Sequence, residues 1–412
     1  MISRWSDAEA RASIERYAES GEDVALRVYT SRLIGGDASL VLHGGGNTSV
    51  KTMGRDLLGE ELAAIHVKGS GWDLGSIEPA GLPGLHLERL LRLRRLDALS
   101  DEAMVNQLRT NLFDAVAPTP SVETLLHAFL PAKFIDHSHA DAFLALTDRA
   151  DGDAVLAEVL GDAVAIVPYV MPGFALAKRA AEIAETNPGK IGLALAKHGL
   201  FTWGESARES YERHIELIDR AERWLAQNTR RSLTISVPSV AGDSVGRAED
   251  LAARIAPLLR RRVAEATGDP DRLWRLLIVE HSATEEILEV CSSQELAELA
   301  DSNPLTPDHV IRTKPRALVI EPPSVDGDSE WAATIDRSIE AFSARYRDYF
   351  ALGTAARGSK KPLDPFPRVV YVPGVGRFTI GATRKDARIA ADIADHTLAT
   401  KRRIFVSRSS FV

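Results

Sequence analysis

Three histidines are the residues best suited to chemistry. His137 and His139 lie two positions apart in Phe134-Ile135-Asp136-His137-Ser138-His139-Ala140-Asp141-Ala142, and His198 stands in Ala196-Lys197-His198-Gly199-Leu200. Side chains at i and i+2 leave a strand on one face, so two imidazoles can grip one metal ion while Ser138 points away. A catalytic zinc takes three protein ligands and keeps a fourth position open, and His198 is the best third candidate. An H-x-H triplet alone is a weak signal in a chain with eleven His, so the residues around it decide its meaning.

Two glycine-rich turns are part of that company. His43-Gly44-Gly45-Gly46-Asn47-Thr48-Ser49-Val50-Lys51 lets backbone N–H groups approach an anion closely, and it reads equally as a tight turn between strands. It carries neither G-K-[ST] nor G-x-G-x-x-G, so it is not a Walker loop or a dinucleotide fingerprint. Lys68-Gly69-Ser70-Gly71-Trp72 follows a short strand and adds a positive charge. Two such turns together favour a phosphate or carboxylate ligand. Glu123, four residues before His127, reads as a first-turn acid of a helix with Thr119 as N-cap and Pro120 in the first position.

The elements that must hold these residues alternate helix and strand. Residues 7–33 have helical spacing and read as a surface helix, and Ser39–Leu42 reads as a short strand. Residues 84–115 read as two amphipathic helices. Strands are expected at Ala163–Tyr169 and Ile191–Ala196, the second delivering His198 at its end, and a long helix at Ser206–Asn228. His214 lies on that helix without a ligand-spaced partner and reads as structural.

At 412 residues the chain is long for one core. Its net charge of -8 argues against general affinity for nucleic acid or anionic membrane. The lone Cys291 excludes an internal disulfide and suits the cytoplasm; it reads as a buried apolar residue. The opening Met1-Ile2-Ser3-Arg4-Trp5-Ser6-Asp7 is too polar for a secretion signal, and no apolar run approaches the roughly 20 residues a membrane helix needs.

Taken together, Gly44–Ser49, Lys68–Trp72, Ser121-Val122-Glu123-Thr124-Leu125-Leu126-His127 and His137–Ala142 resemble the class II aldolase/adducin family over about residues 25 to 230. The wording is most similar to the aldolase part of bifunctional rhamnulose-1-phosphate aldolase/lactaldehyde dehydrogenase proteins, as is Thr306–Lys314. The resemblance implies an α/β fold, three layers (αβα) around a mostly antiparallel sheet, in a catalytic domain over residues 1–231. It implies a Zn2+ or other divalent ion on His137, His139 and His198, with Glu123 as catalytic acid/base. It places the phosphate on Gly46, Asn47, Thr48, Lys68, Ser70, Gly71 and Ser121.

The implied reaction cleaves a ketose 1-phosphate to dihydroxyacetone phosphate and a short aldehyde through a metal-stabilised enediolate. The implied assembly is a homo-oligomer, a tetramer in family relatives. Val122 departs from the family, whose simpler aldolases carry a second small hydroxyl residue there. Two rivals are a metal-dependent epimerase or decarboxylase on the same site, and an adducin-like assembly protein, whose relatives generally lack the full set of three His.

Residues 232–244, rich in Ser, Val, Pro and Gly, read as a linker, and 245–412 as a second module. Gly199-Leu200-Phe201-Thr202-Trp203-Gly204 is echoed by Gly376-Arg377-Phe378-Thr379-Ile380-Gly381, so that module reads as a duplicate without metal. Equal spacing sets Arg312-Thr313-Lys314 under His137-Ser138-His139 and Val375 under His198.

Overall fold

The computed structural model describes residues 1–55, 58–229, 232–233, 244–323, 327–358 and 360–407, so most of the expected linker lies outside the described residues. Two compact units divide the chain, Met1–Thr229 and Arg230–Val412. Among the described residues no helix is long and apolar enough to cross a membrane.

The first unit is built on seven strands: β1 Asn47–Arg55, β2 Glu61–Val67, β3 Gly84–His86, β4 Phe134–Ser138, β5 Val164–Val167, β6 Gly192–Leu195 and β7 Gly199–Gly204. They lie in the order β3-β2-β1-β4-β7-β6-β5, antiparallel throughout except for β5 beside β6. Helices Glu22–Gly35 and Ala207–Asn228 cover one face, and Thr124–Phe129 and Phe174–Thr186 the other, giving three layers. An apolar cluster fills the second of these interfaces, with Ile135 and Phe201 from the sheet meeting Leu125, Phe129 and Ala177. The opposite face of β4 carries buried polar groups, Asp136 and Ser138, beside Phe134. There Arg27 and Asp136, both fully buried, form an ion pair, and Ser210 donates to the same carboxylate. Thr30 Oγ1 and the carbonyls of Ser49 and Ile135 also accept from the Arg27 guanidinium, and these added hydrogen bonds offset part of the cost of burying the pair.

Three local expectations change. Residues 7–33 form two helices, Asp7–Arg16 and Glu22–Gly35, and the second is largely buried, because Val24, Ala25 and Val28 pack inward beside Arg27. Ser39–Leu42 is a turn: Leu40 and Val41 are buried as an apolar plug, but their N–H groups go back to the Asp37 carbonyl rather than to a neighbouring strand. The helix expected from Pro120 begins at Thr124, because Pro120 bridges to Gly69 and the Thr119 carbonyl accepts from the Ser70 N–H. That backbone serves the Lys68–Ser70 turn and is not free to coil.

In the second unit a hairpin, β8 Glu265–Asp269 and β9 Arg272–Arg275, stands apart from a four-stranded sheet. The sheet comprises β10 Ile278–Ser282, β11 Leu318–Val319, β12 Val369–Val372 and β13 Gly376–Gly381, ordered β10-β13-β12-β11. Arg312 and Lys314 do not take strand positions, since Val310–Thr313 is a helical turn. Equal spacing misleads here because the crossover helix of this unit, Asp328–Arg357, has 30 residues where Phe174–Thr186 has 13.

Candidate metal centre

Strand alternation puts His137 on the face of β4 opposite to Asp136 and Ser138, as its period of two requires. His137 lies across from Asn47 of β1 and from Phe201 of β7. Its ring stacks on Phe201, with centroids 4.0 Å apart and planes at 16°. The Nδ1–H donates to the Leu200 carbonyl at 3.0 Å, which fixes the tautomer and leaves Nε2 with a bare lone pair. Burial drives the His137 pKa well below its ordinary value.

His139 follows the end of β4, and its Nε2 comes 3.0 Å from that of His137. His198 enters from the β6–β7 turn, after Lys197 in the left-handed region at φ 55. Gly199 is required beside it, since a Cβ there would stand 2.7 Å from His137 Cε1 and 3.0 Å from His139 Cδ2. One nitrogen from each ring falls within 4.8 Å of the others.

These residues fit a divalent ion. Zinc–imidazole bonds of about 2.0–2.1 Å set ligand nitrogens ~3.3 Å apart, near the His137–His139 separation. Two nitrogens facing each other this closely need a cation or a proton between them. The donor set, three imidazoles with a carboxylate beside them, suits zinc and its first-row neighbours.

Glu123 precedes the helix Thr124–Phe129 and aims into the same space, with Oε1 3.1 Å from His198 Nε2 and Oε2 3.4 Å from His137 Nε2. Burial opposes its charge, but the pull of the surrounding rings, His137 first, outweighs that and holds the carboxyl well below the usual range. Asn47 Nδ2 donates to Oε2 at 2.6 Å and to Ser121 Oγ at 3.1 Å. Glu123, His137, His139, His198, Asn47 and Ser121 therefore converge.

The remaining expected residues frame that cluster. Gly46 adopts φ 61, and a Cβ on it would press to 2.7 Å from the His137 carbonyl oxygen. Lys68 is buried and donates to the carbonyls of Gly44 and, at 3.0 Å, Gly46, so its charge pins the first glycine turn. Ser70 and Gly71 are exposed, with the Ser70 N–H tied to Thr119 O at 2.7 Å. Thr48 turns its side chain to the opposite face, where Oγ1 meets Ser31 Oγ at 2.7 Å, away from the cluster. His214 belongs to that face too, bonded to Ser138 Oγ at 2.7 Å and Thr202 Oγ1 at 2.9 Å.

Sequence spacing pairs His127 with Glu123, yet the His127 ring reaches Asn47 and Ser49 instead. The readable signal is alternation on β1, which sends Asn47 and Ser49 to one face. Nothing in the spacing singles out Phe201.

Residues 26–225 match the family model described as the class II aldolase and adducin N-terminal domain, and residues 250–405 match the one described as the second domain of class II aldolase. A Bacillus subtilis (strain 168) protein named as an uncharacterised oxidoreductase, YuxG, is 31% identical over 386 residues, 93% of this chain and 55% of that protein. The chain thus spans about half the length of the curated relative it matches. The structure of the N-terminal class II aldolase domain of a conserved Thermoplasma acidophilum protein is 42% identical, covering 55% of this chain and 99% of that one at a TM-score of 0.49. L-Fuculose-1-phosphate aldolase from Thermus thermophilus is 20% identical, covering 50% and 96%, at a TM-score of 0.32.

Proposed function

The chain belongs to the class II aldolase and adducin family, and on that premise we propose that it is a zinc-dependent aldehyde-lyase. It cleaves a ketose 1-phosphate, L-rhamnulose 1-phosphate or a close relative, to dihydroxyacetone phosphate and a short aldehyde. The observation that carries the reading is the convergence of three imidazoles and one carboxylate from separate segments on one point.

A divalent ion on His137, His139 and His198 would supply Lewis-acid stabilisation of the charge that develops on the ketose oxygens. The chain's own residues do the rest. Glu123 takes up the proton that the substrate hydroxyl loses as the carbon–carbon bond breaks and passes it to the released carbon, and it removes that proton in the reverse direction, a role that needs the carboxylate at the reacting atoms. Its low pKa keeps it in the base form at neutral pH. Asn47 and Ser121, bonded to each other beside Glu123, orient the substrate end nearest the carboxylate. The two glycine turns, braced by Lys68, bind the phosphate and spend binding energy remote from the breaking bond on alignment. Stacking on Phe201 and the Leu200 carbonyl keep the His137 ring from turning.

The test is a panel of ketose 1-phosphates incubated with the zinc-loaded protein, read by aldehyde release. The reading predicts cleavage that a chelator abolishes and zinc restores. Turnover without any dependence on metal, or isomerisation of the sugar with no aldehyde formed, contradicts it.

A further inference from the structure

Behind Glu123 a buried chain of hydrogen bonds runs through Asn47 to His127 and Ser49, two residues with no part in the reaction above. Asn47 Nδ2 donates to Glu123 Oε2 at 2.6 Å, Asn47 Oδ1 meets His127 Nε2, and His127 Nδ1 meets Ser49 Oγ at 2.8 Å. Asn47, Ser49 and His127 are all buried. Asn47 and Ser49 reach the same ring because they alternate on β1, and the helix Thr124–Phe129 carries that ring to them.

The donors and acceptors along this chain fit in one direction. An ionised carboxylate only accepts, so the Asn47 NH2 must face Glu123 and its oxygen must face His127. That oxygen needs a donor, so His127 carries its proton on Nε2. Nδ1 is then an acceptor, and the Ser49 hydroxyl supplies the proton it lacks. With the other tautomer, the amide would turn over and set its oxygen against the carboxylate.

We propose that His127 is a positioning residue that locks the orientation of the Asn47 amide, so that Asn47 holds the Glu123 carboxylate in place for proton transfer. The inference rests on the role given to Glu123 above. The hydrogen bonds of the His127 ring go to Asn47 and Ser49, so it acts through Asn47.

Two measurements test it. The first is ¹⁵N NMR of the imidazoles in the zinc-loaded full chain, which needs no substrate. His127 is expected as the neutral Nε2–H tautomer from about pH 5 to 8, in keeping with burial lowering its pKa to about 3. A ring protonated on Nδ1, or an imidazolium in that range, overturns the proposal.

The second measurement follows deuterium exchange into dihydroxyacetone phosphate, the proton step itself, in variants checked for native thermal unfolding. His127→Gln keeps a donor near the Nε2 position and should retain kcat within about 5-fold, whereas His127→Leu keeps bulk alone and should lower kcat by ~10- to 100-fold with KM little changed. In an Asn47→Ala background the same Leu substitution should cost less than about 2-fold, because its target is gone. Equal losses for Gln and Leu, or an undiminished loss in the Asn47→Ala background, reduce His127 to a packing role and overturn the proposal. If the expected tautomer is found in a protein that exchanges no proton, the function proposed for Glu123 fails and the hydrogen-bond assignment stands.

Discussion

The sheets of the two units repeat one topology over four strands and differ in what those strands carry. β4, β7, β6 and β5 lie in that order with β5 parallel to β6; β10, β13, β12 and β11 lie likewise, with β11 parallel to β12. The ladders align residue by residue, His137 opposite Phe201 in one and His281 opposite Phe378 in the other. The hairpins correspond as well, with His198 N bonded to Leu195 O at 3.2 Å and Val375 N to Val372 O at 3.0 Å. Lys197 and Gly374 take the same left-handed place in them.

By this register His137, His139 and His198 correspond to His281, Ala283 and Val375. The corresponding ring in the second unit is engaged differently, since His281 places Nε2 2.8 Å from the Val375 carbonyl oxygen, whereas His137 meets the Leu200 carbonyl through Nδ1. The scaffold is therefore separable from the site. What the first unit adds is two further imidazoles and β1 alongside β4, bringing Asn47 and the glycine turn; among the described residues the second sheet ends at β10.

Substitutions at matched positions press this comparison hardest. His198→Ala should lower turnover by more than about 10⁴-fold, removing a ligand of the Lewis acid, while Val375→Ala leaves turnover per folded molecule within about 2-fold. Similar losses at both positions, measured by aldehyde release, would break the contrast. Next in size, Glu123→Gln should reduce kcat by ~10²- to 10⁴-fold, the range of a general acid/base, with zinc still bound by elemental analysis.

Acid should act more on the first unit than on the second. Burial lowers His127 and His214 to about 3 and about 4, whereas His281, which burial also lowers, is only half-buried. Below the ordinary His value the unfolded chain takes up protons that the folded unit refuses. Stability is thus full above about pH 6.5 and is lost as pH falls toward those folded values, by about 1.4 kcal/mol per pH unit for each ring. Hydrogen exchange of peptides spanning residues 124–147 in the zinc-free protein should show this slope, and His214→Gln should make it shallower; a slope unchanged in that variant contradicts the account. The smallest effect belongs to His281→Ala, which should cost roughly 1–2 kcal/mol of stability through the lost ring contact and carbonyl bond, with bound zinc unchanged.

Much of the site is legible in the sequence for simple geometric reasons. The i, i+2 spacing on β4 exposes His137, and a His before Gly at a strand end marks His198. The glycine turns show as anion-binding candidates in their own residues, and the catalytic role of Glu123 comes through family likeness. What is not legible depends on partners distant in the chain. Whether residues 118–121 coil is decided by the Lys68–Ser70 turn, and which way His127 points is decided by Asn47 and Ser49 on β1. Leu40 and Val41 look like strand residues because burial in a turn and burial in a strand demand the same apolar side chains. The Arg312–Lys314 register fails because equal spacing assumes equal crossovers, and the longer helix in the second unit breaks that assumption.

Zinc K-edge X-ray absorption on the protein loaded with one equivalent of metal tests the central claim most directly. Three imidazole nitrogens at about 2.0–2.1 Å, falling to two in His198→Ala, are the predicted coordination sphere. Fewer than two imidazoles around zinc in the native protein, or a coordination that His198→Ala leaves unaltered, would contradict it.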